Sequence, residues 1–389
     1  MSHNVLVADD GKMNRFIIKK ILNENIDNVK IFEAVNGLEV FDILEVEDID
    51  LIILDLIMPK KNGFDTLRDL KSNHKYKDIP VIVSSTITEI ASIEETLEGG
   101  AVDYFTKPFS REEIDIILPL KVINAIKFYE QQKTIQKLNR HIEEELKNAS
   151  AFQNLMLPKT NEFENLDLFI KYKQSMGIGG DFFDCVDTPE GLWFMIADVT
   201  GHGIVAGMIS SMVKVMFRNG VNNSKITSPS EMLENMNDNV FNYFYSGATD
   251  NSVVFTGFVG LISNKKLKYS SAGQPFPLLY HDRDREIIPL KQTGMNIGFF
   301  EGVKYIDETI ELVKDDILLM YTDGLFSTGK ASDFSKWPEV EKFANENMSV
   351  LKERPDEFLG DIFWYFLSRH MENDSEFTDD VAIMLLRYK

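Results

Sequence analysis

The feature that most constrains the fold of this chain is a short apolar run ending at an aspartate, which recurs along its length. Leu51–Leu54, for example, is a continuous apolar run that is followed at once by Asp55. Runs of this length, bounded by turn residues, indicate buried strands. The aspartates that end or closely follow such runs are Asp9, Asp10, Asp55, Asp198 and Asp323. We therefore expect sheets that present carboxylates at the ends of their strands.

The residue types available for metal binding favour hard divalent cations. The chain has 62 Asp and Glu residues but only 6 His and 1 Cys. Mg²⁺ and Mn²⁺ prefer oxygen ligands, whereas zinc prefers nitrogen and sulfur. The carboxylates at strand ends therefore point to metal-assisted hydrolysis rather than to chemistry by a cysteine or serine nucleophile.

Composition also limits the partners and the compartment. A net charge of −21 argues against a nucleic-acid surface, which needs clustered Lys and Arg, and favours protein partners. The single Cys185 excludes an intramolecular disulfide and indicates a reducing compartment, and we expect it to be an apolar filler beside a strand. No signal peptide precedes Val5 and no apolar run is long enough to span a bilayer, so we expect a cytoplasmic protein without a membrane partner.

Residues 1–125 alternate between strand and helix patterns. Continuous apolar strands separated by helices predict a parallel sheet covered on both faces, a doubly wound five-stranded α/β domain. In such a sheet the chemistry lies beyond the carboxyl ends of the strands. The expected strands are Asn4–Ala8, Lys30–Ala34, Leu51–Leu54, Val81–Ser85 and Asp103–Thr106, with helical spacing in Arg15–Asn23 and Glu39–Leu44.

The polar residues at those strand ends have a shared chemical logic. Asp9, Asp10 and Asp55 supply three carboxylates that can hold Mg²⁺. Asp55 can also act as the nucleophile that forms an aspartyl phosphate. Lys107 would neutralise the added charge, and Ser85 would donate a hydrogen bond to a phosphoryl oxygen.

Four further residues complete a recognisable pattern around Asp55 and Lys107, namely Met58, Pro59, Gly63 and Pro108. With them, residues 1–125 resemble the receiver domain of bacterial two-component response regulators. The resemblance implies a flavodoxin-like fold, Mg²⁺ as cofactor, a sensor histidine kinase as partner, and Asp55 as phosphoacceptor. It also implies that Ser85 and Tyr104 form a switch pair; the alternatives are a plain strand-end hydroxyl and a core aromatic.

Residues 126–157 are expected to form a helical or coiled-coil linker. Between Glu112 and Met156 the sequence has one proline, Pro119, and no glycine. Pro119 would either kink the helix or mark the end of the receiver's last helix. Apolar residues of this segment recur at three- and four-residue steps and would form a stripe along one face of the helix: Ile135, Leu138, Ile142, Leu146 and Ala149. The stripe could pair with a second copy of the chain to make a homodimer, or pack on its own domain.

Residues 158–389 combine short apolar runs with helical patterns. Strands interrupted by two helix pairs predict an α+β sandwich with sheets inside and helices outside, an αββα arrangement. The expected strands are Leu168–Tyr172, Leu192–Ala197, Val253–Ile262, Lys266–Ser271, Phe276–Tyr280, Tyr305–Leu312, Ile317–Tyr321 and Val381–Arg387. The expected helices are Val205–Arg218, Ser230–Tyr243, Val340–Asn347 and Asp356–Ser368.

Six motifs punctuate this second domain. They are Leu155-Met156-Leu157-Pro158, Gly179-Gly180-Asp181, Ala197-Asp198-Val199-Thr200-Gly201-His202-Gly203, Ser271-Ala272-Gly273, the segment from Asp316 to Gly324, and Asp379-Asp380. In order and spacing they resemble the metal-dependent type 2C (PPM) serine/threonine protein phosphatases, specifically the SpoIIE-like and RsbU-like branch. The resemblance implies hydrolysis of phosphoserine or phosphothreonine on a protein, with two Mn²⁺ or Mg²⁺ ions.

Motif by motif, the same resemblance implies roles for individual residues. Asp198 would bridge the two ions, and the Val199 carbonyl would bind one of them. Asp323 and Asp379 would hold the second ion. Asp181 would contact the site directly or through water.

Some positions depart from the branch or leave alternatives open. The common His after Ala-Gly is Gln274 here, and Asp315 stands where a Gly is frequent. His202 could support the metal ligands or be a solvent-exposed loop residue. Asp380 is also a candidate metal ligand, and we expect Asp379 to be the ligand of the two.

Together the resemblances predict a response regulator whose output is a protein phosphatase. The implied substrate is a phosphorylated anti-sigma-factor antagonist. The rival interpretation is a non-catalytic adaptor that binds a sigma or anti-sigma factor through a phosphatase-like domain. An adaptor has no need for the full carboxylate set, which favours the enzyme, and the acidity of the output domain opposes a DNA-binding regulator.

Overall fold

The structure is a computed structural model of the 389-residue chain. It describes residues 3–86, 90–108, 110, 112–158, 163–175, 177–223, 225–244, 253–326, 336–371 and 379–389. The chain divides into two compact units, Met1–Ile142 and Glu143–Lys389. Thr378, which the sequence places at the start of the last motif, lies outside the described residues.

The first unit is built on a parallel sheet. Its strands β1 to β5 are His3–Ala8, Val29–Ala34, Leu51–Asp55, Val81–Ser85 and Asp103–Thr106. Helices α1 to α4 are Lys12–Asn25, Gly37–Val46, Gly63–Ser72 and Ile90–Glu98. The strands pair in parallel in the order β2-β1-β3-β4-β5. The expected doubly wound α/β fold is confirmed.

Both faces of this sheet are buried, which explains its uninterrupted apolar strands. Successive side chains of a strand point to opposite faces. Val5 and Val7 pack with Ile18 of α1 on one face, whereas Leu6 and Leu54 pack on the other. Each fully buried side chain of this size contributes about 1.5–3 kcal/mol relative to an exposed one. Asp55 therefore stands at the end of a strand that is held rigidly on both sides.

A long helix follows the first sheet. A π-helical turn, Glu113–Ile117, leads into α5, Leu118–Leu155, so Pro119 stands near the change from π to α geometry and the helix continues past it. The start of α5 packs into the core of the first unit through Leu118, Val122 and Ile126. The apolar stripe that follows is exposed, at 57% for Ile135, 55% for Leu138 and 54% for Ile142.

The second unit contains the antiparallel strands. Strands β6 to β15 are Leu166–Lys173, Phe182–Thr188, Gly191–Val199, Phe255–Ser263, Lys266–Ala272, Leu278–His281, Glu286–Pro289, Glu308–Glu311, Ile317–Tyr321 and Val381–Tyr388. Helices α6 to α10 are Ile204–Val221, Pro229–Phe244, Trp337–Glu346, Met348–Glu353 and Pro355–Met371. β12 and α9 lie outside the elements expected from the sequence.

These strands form two sheets that pack face to face. We name them the front sheet, in the order β13-β10-β9-β8-β7, and the back sheet, in the order β12-β11-β14-β15-β6. Phe194 and Ile196 of the front sheet pack against Met320 of the back sheet in a shared apolar layer. Helices α6 and α7 cover the outer face of the front sheet, and α8 to α10 cover that of the back sheet. The expected αββα sandwich is confirmed.

Helix α6 is more apolar than the other described helices of comparable length. Among the described residues it is long and apolar enough, by length and composition only, to cross a membrane. Its Ala206, Val213 and Phe217 are buried against the front sheet. That packing covers one face of the helix only, and several of its other apolar side chains are at least 40% exposed: Ile204, Val205, Met208, Met212 and Val215.

Candidate metal centres

In the first unit a lysine lies between two buried carboxylates. Lys107 Nζ donates to Asp9 Oδ2 at 2.6 Å and to Asp55 Oδ2 at 2.7 Å. All three side chains are buried. Burial raises the pKa of Asp55, and the ammonium of Lys107 acts in the opposite direction. The lysine thus compensates carboxylate charge where unpaired charge would be costly.

Three carboxylates of this site are close enough to share one ion. Oxygens of Asp9, Asp10 and Asp55 lie within 4.8 Å of one another, with Asp10 exposed and the other two buried. The second oxygen of Asp9 accepts hydrogen bonds from Gly11 N at 2.8 Å and from Asn14 Nδ2 at 3.1 Å. Because Mg²⁺ takes a few carboxylates and keeps several waters, this oxygen set with one solvent-facing member fits Mg²⁺.

The loop after β3 approaches the backbone of Asp55 closely. Gly63 N donates to Leu56 O at 2.8 Å. A Cβ at Gly63 would stand 2.1 Å from Asp55 O, so a side chain there would displace the strand end. Glycine is therefore required where α3 begins beside the candidate phosphoacceptor.

The two residues expected as a switch pair lie on neighbouring strands, two register positions apart. Ser85 ends β4, and Tyr104 is on the neighbouring β5. Both line the same small cavity. Ser85 O also accepts a hydrogen bond from Lys107 N at 2.7 Å. The structure thus brings Ser85 and Tyr104 together next to Lys107.

In the second unit the candidate aspartates come from both sheets. Asp181 directly precedes β7 and Asp198 lies near the end of β8, both in the front sheet. Asp323 follows β14 of the back sheet and opens a short 3₁₀ turn, Asp323–Phe326. Asp379 stands two residues before β15. Packing of the two sheets therefore decides how close these carboxylates come.

The carboxylate of Asp181 is buried, and that of Asp198 partly buried, among like charges. Burial raises the pKa of Asp181 well above its usual range, and the charges of Asp380, Asp323 and Asp379 add to that effect. Burial likewise raises the pKa of Asp198, helped by the charges of Asp181, Asp323 and Asp379. Carboxylates in this arrangement hold protons tightly unless a cation compensates their charge.

One oxygen of Asp181 has no hydrogen-bond partner. Thr322 Oγ1 donates to Asp181 Oδ2 at 2.8 Å, whereas Oδ1 is buried and unpartnered among the described residues. A buried, unpaired carboxylate oxygen is costly and calls for a ligand. An unpaired oxygen on a carboxylate that is influenced by several other carboxylates fits a divalent cation.

Asp323 interacts with both Asp198 and Asp379. Its side chain adds to the effect of burial in raising the pKa of Asp198. Burial raises the pKa of Asp379, Asp323 raises it further, and His202 acts in the opposite direction. The side chain of His202 is exposed. His202 is therefore a solvent-facing loop residue that is also close enough to Asp379 to influence its charge.

The set is more widely spaced than the one in the first unit. Within the described part of the chain, no three of these carboxylates come within 4.8 Å of one another. Asp198 and Asp323 nevertheless interact, and the charge of Asp379 further raises the pKa of Asp198. The arrangement suits ions held by pairs of carboxylates better than a single ion held by three.

Asp380 uses both oxygens within the protein. Its Oδ1 accepts from Ser175 N at 2.8 Å and from Ser175 Oγ at 3.1 Å. Its Oδ2 accepts from Gly180 N at 2.6 Å. The side chain thereby fixes the loop that carries Asp181, and the neighbouring Asp379 is left as the more open carboxylate of the pair.

Gly180 lies in the loop before β7, which packs closely against the end of β8. A Cβ at Gly180 would stand 3.0 Å from Val199 O. The carbonyl expected as a metal ligand therefore faces the loop that leads to Asp181. A larger residue at Gly180 would push the two apart.

The end of α5 is bonded to the same loop, a contact that sequence analysis missed. Gln153 Nε2 donates to Gly179 O at 2.7 Å, and Gly179 N donates to Gln153 Oε1 at 3.0 Å. Gln174 Nε2 donates to Gln153 Oε1 at 2.7 Å. Gln153 is 6% exposed. Its place just before the Leu155–Pro158 motif is the one hint in the sequence, because a glutamine on a polar helix usually faces solvent.

Comparisons with known proteins give a consistent picture of both units. The family model described as Stage II sporulation protein E (SpoIIE) matches residues 188–389, and the response regulator receiver domain model matches residues 5–118. The phosphoserine phosphatase RsbU of Bacillus subtilis (strain 168) is 25% identical over 268 residues, covering 67% of this chain and 75% of RsbU.

Two further likenesses concern one unit each. Sporulation initiation phosphotransferase F of Bacillus subtilis (strain 168) is 34% identical over 125 residues, which cover 31% of this chain and 98% of that protein. Among solved structures, the SiaA-PP2C domain of Pseudomonas aeruginosa is similar with a TM-score of 0.52 at 16% identity. It covers 65% of this chain and 99% of its own, and at this identity it supports the fold alone.

Proposed function

The chain belongs to the SpoIIE family and also carries a response regulator receiver domain, and we propose that it is a phosphorylation-regulated, metal-dependent phosphoserine/phosphothreonine protein phosphatase. The observation that carries this proposal is the convergence of Asp181, Asp198, Asp323 and Asp379 from two sheets onto one place. Such mutually repelling carboxylates fit cations, and a protein adaptor would gain nothing from them.

These carboxylates would hold two Mn²⁺ or Mg²⁺ ions. Asp198 and Asp323 would be the central pair of ligands, Asp379 and the Val199 carbonyl would complete the ligand set, and Asp181 would bind through its unpaired Oδ1. When bound, the ions would supply Lewis acidity toward water and the phosphoryl oxygens. Residues of the chain would fix the geometry: Thr322 holds Asp181, and Asp380 holds the loop at Gly180.

In the first unit Asp55 would be the phosphoacceptor. One Asp55 oxygen would attack the phosphorus of a phosphohistidine on a sensor histidine kinase, forming a P–O bond as the P–N bond breaks and the imidazole leaves. Lys107 already contacts Asp55 and would compensate the added negative charge. Mg²⁺ would be held by Asp9, Asp10 and Asp55. Ser85 would donate to a phosphoryl oxygen.

Helix α5 would carry the signal between the two sites. It starts in the core of the first unit at Leu118, and its Gln153 bonds the loop beside Asp181. A change in this helix that breaks the Gln153 bonds would loosen that loop. The exposed stripe of Ile135, Leu138 and Ile142 supports pairing with a second copy of the chain, because apolar side chains at this spacing are stabilised by burial in a coiled coil.

The substrate would be a phosphoserine protein. The likeness to the phosphoserine phosphatase RsbU supports this choice, and within the SpoIIE-like and RsbU-like branch an anti-sigma-factor antagonist is the candidate. The net charge of −21 fits a protein substrate better than a nucleic acid.

The test is Mn²⁺-dependent hydrolysis of a phosphoserine peptide by wild type, Asp198→Asn and a control, Asp187→Asn. Asp187 is an exposed aspartate of β7. Removing a residue that only supports a metal ligand lowers metal affinity or activity about 10- to 100-fold. Asp198 is a proposed ligand itself, so we expect the hydrolysis rate of Asp198→Asn to fall by more than about 100-fold. The control should match wild type. Addition of acetyl phosphate should change the wild-type rate.

A wild type that neither hydrolyses the peptide nor binds Mn²⁺ in the second unit would contradict the proposal. The non-catalytic adaptor would then be the better account of the SpoIIE-like domain. Retained hydrolysis in Asp198→Asn would also refute the ligand assignment.

A further inference from the structure

A glutamine is completely buried between the two sheets of the second unit. Gln274 is 0% exposed, and its side-chain amide is used at both ends. Oε1 accepts from Thr256 Oγ1 at 2.7 Å, and Nε2 donates to Tyr321 O at 2.8 Å. The amide therefore links Thr256 and Tyr321 by two hydrogen bonds.

The two ends of this bridge lie beside the two halves of the candidate metal site. Thr256 is on β9 of the front sheet, directly opposite Asp198 on β8 in the strand register. Tyr321 ends β14 of the back sheet, two positions before Asp323. Gln274 thus connects the strand that neighbours Asp198 to the strand that delivers Asp323.

The chain path explains why Gln274 is in this place. β10 belongs to the front sheet and β11 to the back sheet, so the chain crosses between sheets just after Ala272. Gly273 has φ +73°, a left-handed conformation that glycine adopts without strain. The turn directs the next residue into the gap between the sheets.

Apolar packing defines the separation of the two carboxylates only loosely, and the hydrogen bond from Thr322 to Asp181 crosses between the sheets without involving β9. The layer between the sheets consists largely of aliphatic and aromatic side chains, and hydrophobic contact is non-directional. Hydrogen bonds have narrow distance and angle limits. Both Oε1 and Nε2 of Gln274 are hydrogen-bonded where the chain passes from one sheet to the other. The side chain can therefore fix how one sheet lies against the other near Asp198 and Asp323.

We propose that Gln274 is a positioning residue that sets the spacing of Asp198 and Asp323 and thereby the affinity of the second unit for divalent cations. This inference rests on the proposed function only in taking those carboxylates as metal ligands. A partner bonded directly to a metal ligand is worth about 10- to 100-fold in affinity. Gln274 bonds the neighbours of the ligands, so we expect a loss at the lower end of that range, about 10-fold.

The test compares Gln274→Met with Asn237→Leu in the full chain. Met has nearly the volume of Gln but offers no hydrogen bonds. Asn237 is also 0% exposed and uses both ends of its amide, donating to Phe300 O at 3.0 Å and accepting from Gly298 N at 2.9 Å. It joins α7 to a loop without proposed ligands, so it controls for the loss of any buried amide.

Mn²⁺ binding is measured directly by electron paramagnetic resonance titration, without substrate. The sites lost in Asp198→Asn define the signal of the second unit, since the first unit is expected to bind the ion as well. We expect a loss of affinity of about 10-fold in Gln274→Met and wild-type affinity in Asn237→Leu, with similar losses of thermal stability. Equal affinity in both variants would overturn the inference.

Thr256 provides a second pair of variants if Gln274→Met does not fold. Thr256→Val removes the hydroxyl that Gln274 accepts from, whereas Thr256→Ser keeps it. Weakened Mn²⁺ binding in the Val variant, with recovery in the Ser variant, would support the inference. Equal binding in the two would refute it. A wild type without this Mn²⁺ signal would instead refute the proposed function itself.

Discussion

Thr322 Oγ1 donates a 2.8 Å hydrogen bond to Asp181 Oδ2, joining two residues that are 141 positions apart in the sequence. The same hydroxyl accepts from Ala382 N at 2.9 Å. One side chain thus connects the front-sheet carboxylate to two strands of the back sheet, because Thr322 follows β14 and Ala382 is in β15. This contact therefore holds Asp181 next to Thr322, the residue that precedes Asp323.

Replacing Thr322 by Val should weaken the second unit. The substitution keeps the shape but leaves Asp181 Oδ2 and Ala382 N without a partner, at a cost of about 1–3 kcal/mol for each buried group left unpaired. Thr322→Ser keeps the hydroxyl and serves as the control. Urea unfolding should show a lower midpoint for the Val variant and a nearly normal one for Ser. Equal midpoints would mean that this contact contributes nothing.

Asp55→Ala should abolish phosphorylation of the first unit. Asp55 stands at the end of β3, bonds Lys107 and lies close to Asp9 and Asp10. Neither Asp9 nor Asp10 can take its place, because both follow a different strand. Mass spectrometry after incubation with acetyl phosphate and Mg²⁺ should detect one phosphoryl group on wild type and none on the variant. Asp42→Ala, at an exposed position of α2, should behave as wild type. Undiminished labelling of Asp55→Ala would place the phosphoacceptor elsewhere.

Gln153→Ala should uncouple the two sites. The substitution removes the hydrogen bonds that the Gln153 side chain makes with Gly179, Gln174 and Ser210, while leaving the receiver residues unchanged. Each of these hydrogen bonds contributes about 1 kcal/mol net, so their combined loss should release the loop at Gly179 from α5. The ratio of phosphatase rates with and without acetyl phosphate should then fall to about one. Gln136→Ala, at an exposed position of the same helix, is the matched control. A response that survives in Gln153→Ala would assign the coupling to other contacts.

Cys185 should be unreactive in the folded protein. Its side chain is 4% exposed, and burial, reinforced by the nearby Asp184 charge, raises the pKa of the thiol. Because the thiolate is the reactive form, a raised pKa lowers its fraction at pH 8 and slows alkylation. Iodoacetamide labelling should be at least about 100-fold slower than in urea, where the thiol has its ordinary pKa. The chain has 1 Cys, so the label reports this site alone. Fast labelling of the native protein would contradict its description as an inert core residue.

The sequence predicted the sheets where local pattern and packing agree. The run Leu51–Leu54 is apolar throughout because both faces of its sheet are covered, and it is observed as β3 ending at Asp55. The same reasoning missed β12, whose alternation over four residues is too short to stand out, and α9.

Periodicity predicted the helix α5 but not which side chains it buries. Ile135, Leu138 and Ile142 recur at helical spacing, and they are more than half exposed. Gln153 has a polar side chain and is buried. A helical pattern specifies which residues share a face, whereas a partner surface, here the loop at Gly179, decides which of them are covered.

The sequence by itself determined the two fold classes and the residue types at the strand ends, because hydrophobic period and strand-end aspartates are properties of local chain segments. Tertiary structure alone decided what individual members of those motifs contact. Asp379 and Asp380 are adjacent in sequence, yet Asp380 uses both oxygens on Ser175 and Gly180 while Asp379 stays more open. Gln274 acquired a bridging position only because the chain crosses between sheets there. Hydrogen bonds between segments 18 to 205 residues apart depend on how the sheets pack, which no local pattern encodes.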